Sequence, residues 1–437
     1  MRQYGENMKP KQLLGAVACL SLPLIMATHL LYEASRNGVD FTVYWAGARE
    51  FVRGGDLYAA GLPGTWLDSM AFTYPPFAAL ILAPMAFLPL ELARTVQALS
   101  NLALGAFLGV IIARYLMQKG VLRVSPVSRK WWLAAAFITG LLLLLGPWRN
   151  SLGLGQINPL LMVLIVADLL VTTRRRPNGL VPRGILSGIA AGIKLTPLVF
   201  LLYFVVRRDF RSAGRMLTSF AATVGLMALL APSESLKYWF SALRDTTRVG
   251  ELSRFDNVSL RGFVARLGLP DELSVVLWIA LSLLVVGLGV AAIHRTRGLS
   301  DQWGAVGATA LVMLLISPVS WGHHWVWVAI LVPAVIGRAA SAGIKPFGWA
   351  RFLRSPAGVL CLLLTASFAM HPVEAAGLSG SPKPYDSVSA FSEILVEIGL
   401  LPAILILAWL AFSRTAAFST EPALFPARTV EETDALR

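Results

Sequence analysis

Apolar stretches of spanning length recur from one end of the chain to the other, separated by short polar or basic segments. This alternation predicts helices that cross a bilayer. Full spans are expected near residues 11–32, 90–117, 131–147, 153–172, 213–231, 272–293, 303–317, 324–337, 356–371 and 391–412. Two apolar stretches do not fit as simple crossings. Residues 75–89 are short and carry Pro75, Pro76, Pro84 and Pro89, which predicts a helix lying at, or dipping in from, the outer surface. Residues 184–206 are flanked by basic residues on both sides and broken at Lys194-Leu195-Thr196-Pro197. Two half-helices in a re-entrant hairpin keep both flanks on the inner side and let protein bury the break, whereas one full span reverses the orientation of part of the chain. The pattern predicts an all-α polytopic membrane protein with about ten full spans, a broken re-entrant hairpin and outer-surface helices. A single integral-membrane domain covers 1–412, and the polar, proline-containing tail 413–437 is expected to be poorly ordered in the cytoplasm.

Composition agrees. Of 437 residues, 56% are hydrophobic and 14% charged, and the mean hydropathy is +0.66; a soluble domain carries roughly a quarter charged residues. That excludes an ordinary cytosolic enzyme. The segment from Lys11 to Tyr32 is roughly twice as long as the apolar region of a signal peptide, lacks a small-residue cleavage pattern, and reads as the first span. Cys19 and Cys361 both sit inside apolar runs, as small buried residues do, and offer no disulfide framework. The net charge of +14 raises the question of nucleic acid, but Lys and Arg gather between spans rather than interleaving with aromatics, so the charge is a topology signal and no nucleic-acid partner is expected. With the N-terminus inside, the inner segments hold 24 Lys and Arg against 11 in the outer ones, six of these in the long segment 232–271. Long loops obey the positive-inside rule least, so this orientation is favoured.

In that topology four polar clusters face the outer side. The first is GVDFTVYWAGAREFVRGGDLYAA, where Asp40, Tyr44, Ala48 and Arg49 recur at helical spacing and predict a short amphipathic helix at the membrane surface, with the Asp40 carboxylate at its positive end. The plainer reading of Asp40 is an N-cap. The second, PWRNSLGLGQINPL, carries Arg149, Asn150, Gln156 and Asn158 in a short outer hairpin that could hold a sugar or phosphate, or simply bond its own turn. The third, ELSRFDNVSLRGFVARL, in the long outer loop, brings Asp256, Asn257, Ser259 and Arg261 together as a dense hydrogen-bonding set beside an amphipathic helix, or is simply a solvated loop. The fourth, SPVSWGHHWVW, sets His323 and His324 among three tryptophans, which interfaces also attract as anchors. Adjacent histidines on a helix point in different directions and no third ligand is near in sequence, so no metal site is expected. Lys194, at the break of the hairpin, is costly at membrane depth unless it is paired or in a wet cavity; it could meet a lipid phosphate or cap the freed carbonyls of its own helix.

The chain has no Walker loop, dinucleotide fingerprint, Gly-x-Ser-x-Gly or thiol nucleophile, so no cofactor is implied and any chemistry must run on carboxylate and imidazole. A transporter could also use a broken hairpin and buried charge, although only one such hairpin and no repeat is present.

At these residues the chain resembles glycosyltransferase family 87, the polyprenyl-phosphate-sugar-dependent transferases of the membrane-embedded C superfamily, best known from mycobacterial mannosyltransferases. The matching pieces are Asp40-x-x-x-Tyr44, GGDLY, YPPFAALILAP, GQINPLLMVL, GIAAGIKLTPLVFLLY, NVSLRGFVARL and SPVSWGHHWVW, in family order from about residue 38 to 328. The resemblance implies a C-type glycosyltransferase fold in a bacterial inner membrane, an outward-facing site, and inverting transfer of a sugar, mannose first, from a polyprenyl-phosphate donor to a glycolipid or glycan acceptor. Other lipid-linked sugars such as arabinofuranose, and a non-catalytic glycan-assembly role, are the alternatives. The family's general base falls on Asp40 and its functional histidine on His323 or His324; this chain has Gly322 where many relatives carry an acidic or polar residue. Donor phosphate or substrate contacts are expected from His323, His324, Arg261, Lys194, Tyr44, Gln156, Asn158 and Asn257, with the histidine pair and Arg261 placed above Lys194 as phosphate partners.

Overall fold

In a computed structural model, residues 10–59, 61, 70–171, 181–245, 248, 250–254, 256–296, 301–343, 349–369 and 399–413 are described. The tail 414–437, residues 391–398 of the expected last span and part of the first outer loop, 62–69, lie outside them. Eighteen α-helices form the described chain: α1 (Pro10–Arg36), α2 (Val39–Arg53), α3 (Pro76–Leu82), α4 (Leu90–Gln118), α5 (Arg129–Leu144), α6 (Gly146–Gly153), α7 (Asn158–Val166), α8 (Ile185–Ile193), α9 (Phe200–Val206), α10 (Phe210–Leu230), α11 (Pro232–Lys237), α12 (Leu260–Arg266), α13 (Asp271–Arg295), α14 (Gln302–Ile316), α15 (Val328–Ser341), α16 (Trp349–Leu353), α17 (Pro356–Ala369) and α18 (Leu400–Phe412).

Side-chain caps start several of them. Ser128, Asp209, Ser259 and Asp301 each accept a hydrogen bond from a backbone N–H in the first turn of α5, α10, α12 and α14. The Asp301 cap does a second job, pairing at 3.0 Å with the buried Arg338 guanidinium of α15. A buried ion of this kind is tolerated because the carboxylate and the α18 carbonyl of Leu410 both take its protons.

Among the described residues five helical segments are long and apolar enough to cross a membrane: Gly15–Arg36, Leu90–Gln118, Phe210–Leu230, Asp271–Arg295 and Gly322–Ser341. The pair α5 and α6 makes a sixth when taken together, bent by 77° between them. The expectation of ten full spans is therefore met only in coarser form, as a multi-pass helical bundle. The physical reason is visible in α14, where every residue from Trp303 to Leu315 is buried. A helix enclosed by protein on all sides needs apolar character but not spanning length, and sequence hydropathy does not separate the two cases.

The break at Lys194 is real, and the chain doubles back there. Arg183, just before α8, donates to the Tyr203 hydroxyl in the middle of α9 at 2.7 Å, so the two arms of the segment stand side by side. Asp168, in the π-helical turn that ends α7, fixes the first arm by accepting from the Gly184 and Ser187 amides and the Ser187 hydroxyl. Alongside runs α10, so close that a Cβ on Gly188 would collide with the Met216 carbonyl. Lys194 is thus carried to the far tip of a hairpin.

The bundle has two unlike ends. At one, Arg207 donates to the Thr296 carbonyl and Arg295 and Arg338 donate to Ser413. At the other, the start of α2, the α6–α7 turn, the hairpin tip and the 317–327 segment converge.

Candidate active site

The first turn of α2 is set by backbone bonds to the α6–α7 turn: the Gly38 and Phe41 amides donate to the carbonyls of Gly153 and Leu154, each at 3.0 Å. The turn itself depends on Gly155, whose φ of +72° is in the left-handed region and whose missing Cβ leaves room for the Phe41 side chain. This docking puts Asp40 beside Gln156. The cap of α2 is Gly38, not Asp40, whose carboxylate instead receives a hydrogen bond from Gln156 Nε2. Nor is α2 a half-exposed surface helix: Phe41 through Ala48 are all buried, packed against α3, the 83–87 turn and α4.

From Gln156 a line of hydrogen bonds runs to the hairpin tip. Gln156 Oε1 accepts from the Tyr44 hydroxyl at 2.9 Å and from Asn158 Nδ2 at 3.1 Å. Asn158 Oδ1 accepts from Lys194 Nζ at 3.2 Å, and Lys194 Nζ lies 3.1 Å from His324 Nε2. A charged lysine can only donate, so this contact requires an unprotonated Nε2 and a neutral His324 with its proton on Nδ1. Tyr74, just before α3, closes the other flank, its hydroxyl 2.8 Å from that of Tyr44 and its ring under Lys194 at 5.3 Å.

Burial divides these residues into two groups. Tyr44, Gln156 and Asn158 are 3%, 3% and 6% exposed, so they act within the wall. Asp40, Lys194, His323 and His324 are all only partly buried. Burial of the carboxyl pushes Asp40 up from 3.8 to about 6; the Gln156 hydrogen bond and the Lys194 charge pull it back, and Asp256 adds a small push. A cavity opens beside Lys194, its wall made of polar Asn158, Thr196, Ser317, Ser320 and His324 together with apolar Leu161, Ile165, Met313 and Trp327. The buried Ser320 hydroxyl on that wall has no hydrogen-bond partner among the described residues.

Of the sequence candidates, Asp40, Tyr44, Gln156, Asn158, Lys194 and His324 meet in one hydrogen-bonded set. His323 touches its ring edge to His324, the centroids 4.7 Å apart, while its carbonyl accepts from Ser151 and Asn158. Asn257 is fully buried and holds backbone: it donates to the Leu252 and Pro318 carbonyls and accepts from the Ser320 amide, pinning its loop to the 318–321 segment. Arg261 lies over the Trp278 ring at 5.5 Å and shares no hydrogen bond with Lys194 or the histidines among the described residues. Tyr74 and Ser320 were not singled out from sequence. Both sit in motifs, YPPF and SPVSW, that spacing alone does not mark as part of a site, and only their return to the same end of the bundle gives them away. Among the described residues no three His, Cys, Asp or Glu side chains group as metal ligands.

The sequence profile of glycosyltransferase family 87 matches residues 72–318. The chain belongs to glycosyltransferase family 87. Membership makes it a glycosyltransferase. It is 38% identical over 315 residues to the polyprenol-phosphate-mannose-dependent alpha-(1-2)-phosphatidylinositol mannoside mannosyltransferase of Mycolicibacterium smegmatis, covering 68% of this chain and 70% of that one. The Mycobacterium tuberculosis protein of the same name is 36% identical over 306 residues, with the same coverage. Among solved structures, ArnT from Cupriavidus metallidurans bound to undecaprenyl phosphate aligns over 90% of this chain and 76% of its own at 16% identity and a TM-score of 0.38.

Proposed function

We propose that this glycosyltransferase transfers mannose from a polyprenyl-phosphate donor to a hydroxyl of a phosphatidylinositol-mannoside glycolipid, at the outer face of a bacterial inner membrane and on a C-type fold of about ten crossings. The donor and acceptor classes are those of the two mycobacterial relatives. The observation that carries the chemistry is the juxtaposition, through Gln156 and Asn158, of one ionisable carboxylate and one lysine whose contacts are neutral acceptors. The outward orientation is supported by the excess of Lys and Arg in the expected inner segments, among which Arg207 and Arg295 lie at the end of the bundle opposite Asp40.

In this reading the acceptor oxygen attacks the anomeric carbon, the bond from that carbon to the phosphate oxygen breaks with its electron pair going to the phosphate, and the hydroxyl proton passes to Asp40. Because phosphate is a good leaving group, it needs charge stabilisation rather than protonation. Lys194, with Ser320 and His324 on the same cavity wall, supplies it more directly than Arg261, which is stacked on Trp278. Arg261 and Asn257 then support the wall rather than the ligand. The apolar residues of the cavity lining suit the first prenyl carbons.

The test is transfer of radiolabelled mannose from polyprenyl-phosphate-mannose in membranes expressing wild type or Asp40→Asn, with lipid and polymer fractions counted. Label in the glycolipid fraction that depends on Asp40 is expected; equal transfer by both proteins overturns the base assignment, and none from the wild type overturns mannose as the sugar.

A further inference from the structure

Gln156 looks at first like a substrate contact, since it is a polar side chain in a turn beside the base. Its surroundings assign it elsewhere. It is 3% exposed, and its Oε1 is already taken by the Tyr44 hydroxyl and Asn158 Nδ2. Its backbone is equally committed: the amide donates to the Ser151 carbonyl at 2.7 Å, and the carbonyl accepts from Asn101 Nδ2 at 3.0 Å.

The direction of each bond follows from the ends of the line. Lys194 can only donate, so Asn158 turns its oxygen to the lysine and its Nδ2 to Gln156. Gln156 must then present oxygen to Asn158 and nitrogen to Asp40. Reversing the Gln156 amide would set two N–H donors against each other and a carbonyl oxygen against the carboxylate. The two carboxamides are therefore locked in one sense, from cation to base. With Gln156 Nε2 on Asp40 Oδ2, Oδ1 is left without a hydrogen-bond partner among the described residues.

We infer that Gln156 is a positioning residue for the base: it claims Asp40 Oδ2, so that Oδ1 is the atom that takes the acceptor proton, and with Asn158 it ties the orientation of that carboxylate to Lys194. This rests on Asp40 acting as base. The charged and titratable groups that face Asp40 are Tyr44 on its own helix, Tyr74 ahead of α3, Lys194 at the hairpin tip and Asp256 in the 250–259 segment; Arg94 of α4 reaches the same helix but donates to Thr42. Of these contacts the Gln156 hydrogen bond is the strongest that favours the ionised carboxylate.

The experiment compares Gln156→Met, Tyr44→Phe and Asp40→Asn with wild type in detergent, each first checked for a monodisperse elution profile and thermal transition. Donor and acceptor KM, kcat and the pH profile are measured for each. Met keeps the length of Gln and removes the donor. Gln156→Met is expected to lower kcat on the order of tenfold to a hundredfold with both KM values within about twofold, and to move the acidic limb of kcat/KM to higher pH. Tyr44→Phe loosens Gln156 without removing its bond to Asp40 and should lower kcat by a few-fold and move the limb in the same direction by a smaller, measurable step. A raised donor or acceptor KM with unchanged kcat and an unmoved acidic limb makes Gln156 a substrate contact and overturns the inference. Should Gln156→Met fail to fold, Tyr44→Phe decides alone, and an unmoved kcat and limb in it overturns the inference. Activity surviving in Asp40→Asn removes the base and the inference together, whereas an inactive Asp40→Asn beside a wild-type-like Gln156→Met overturns the inference only.

Discussion

Lys194 Nζ stands 3.1 Å from His324 Nε2 and 3.2 Å from Asn158 Oδ1, a lysine at the tip of a broken hairpin held by two neutral acceptors. No carboxylate forms an ion pair with it among the described residues, so an anion entering the cavity meets an unspent positive charge. Lys194→Met should therefore lower kcat/KM for the lipid-phosphate donor on the order of a hundredfold to a thousandfold, with the acceptor KM little changed. Lys194→Arg should not restore it, because a planar guanidinium cannot reproduce the compact ammonium between Asn158 and His324. Initial rates at varied donor and acceptor concentration check this; an effect confined to acceptor KM would place Lys194 on the other substrate.

The protonation state of Asp40 sets the pH dependence. Only the ionised carboxylate can take a proton, and burial puts its midpoint at about 6. Transfer is expected to be flat at neutral pH and to fall about tenfold per pH unit well below 6. A profile measured from pH 4.5 to 8 with saturating acceptor locates the limb, and a limb near 4 would mean that substrate or solvent relieves the burial.

The same elevation is a stability cost with a definite sign. Because the folded-state value lies above the ordinary 3.8, the folded protein holds a proton that the unfolded chain releases between about 3.8 and 6. Stability is greatest below that window and falls as pH rises through it, by an upper limit of about 3 kcal/mol at about 1.4 kcal/mol per pH unit. Asp40→Asn, which never ionises, should be more thermostable than wild type at pH 7.5 and no more stable at pH 4. Thermal melts in detergent at both values test it, and a variant equally or less stable at pH 7.5 counts against burial as the cause.

Much of this site was legible in the chain because its parts are local. Asp40 and Tyr44 share a helix face by spacing alone, and Gln156 and Asn158 lie two residues apart. The break at Lys194 is written in Lys-Leu-Thr-Pro, where proline removes a donor and clashes with the preceding turn. What spacing could not give is the contact between distant segments. The separation of 116 positions between Asp40 and Gln156 hides the bond that turns a helix-start aspartate from a cap into a candidate base. Asn257 reads as a ligand group in sequence because its role, bonding the 318–320 backbone, exists only after two loops have met. Crossing number is not fixed by hydropathy for a related reason: a helix such as α14 is buried in protein, and lipid would demand the same apolar residues.

The α6–α7 turn offers a test of how closely the chemistry depends on that docking. Gly155 has a φ of +72°, and a Cβ there would collide with the Phe41 side chain, one residue from Asp40. Gly155→Ala thus meets both a backbone penalty of about 1 kcal/mol and a steric one that the buried Phe41 can relieve only by moving the start of α2. The bundle is held by packing elsewhere, so the protein should still fold, with a melting temperature a few degrees lower. Activity should fall much further, because the displaced first turn carries Asp40 away from Gln156 and from the acceptor; a shift on the order of 1 Å in a reacting group can cost about a hundredfold. Turnover and thermal melts on the same preparation separate the two effects. A loss of activity no larger than the loss of folded protein would mean that α2 tolerates the movement and that the position of Asp40 is set from elsewhere.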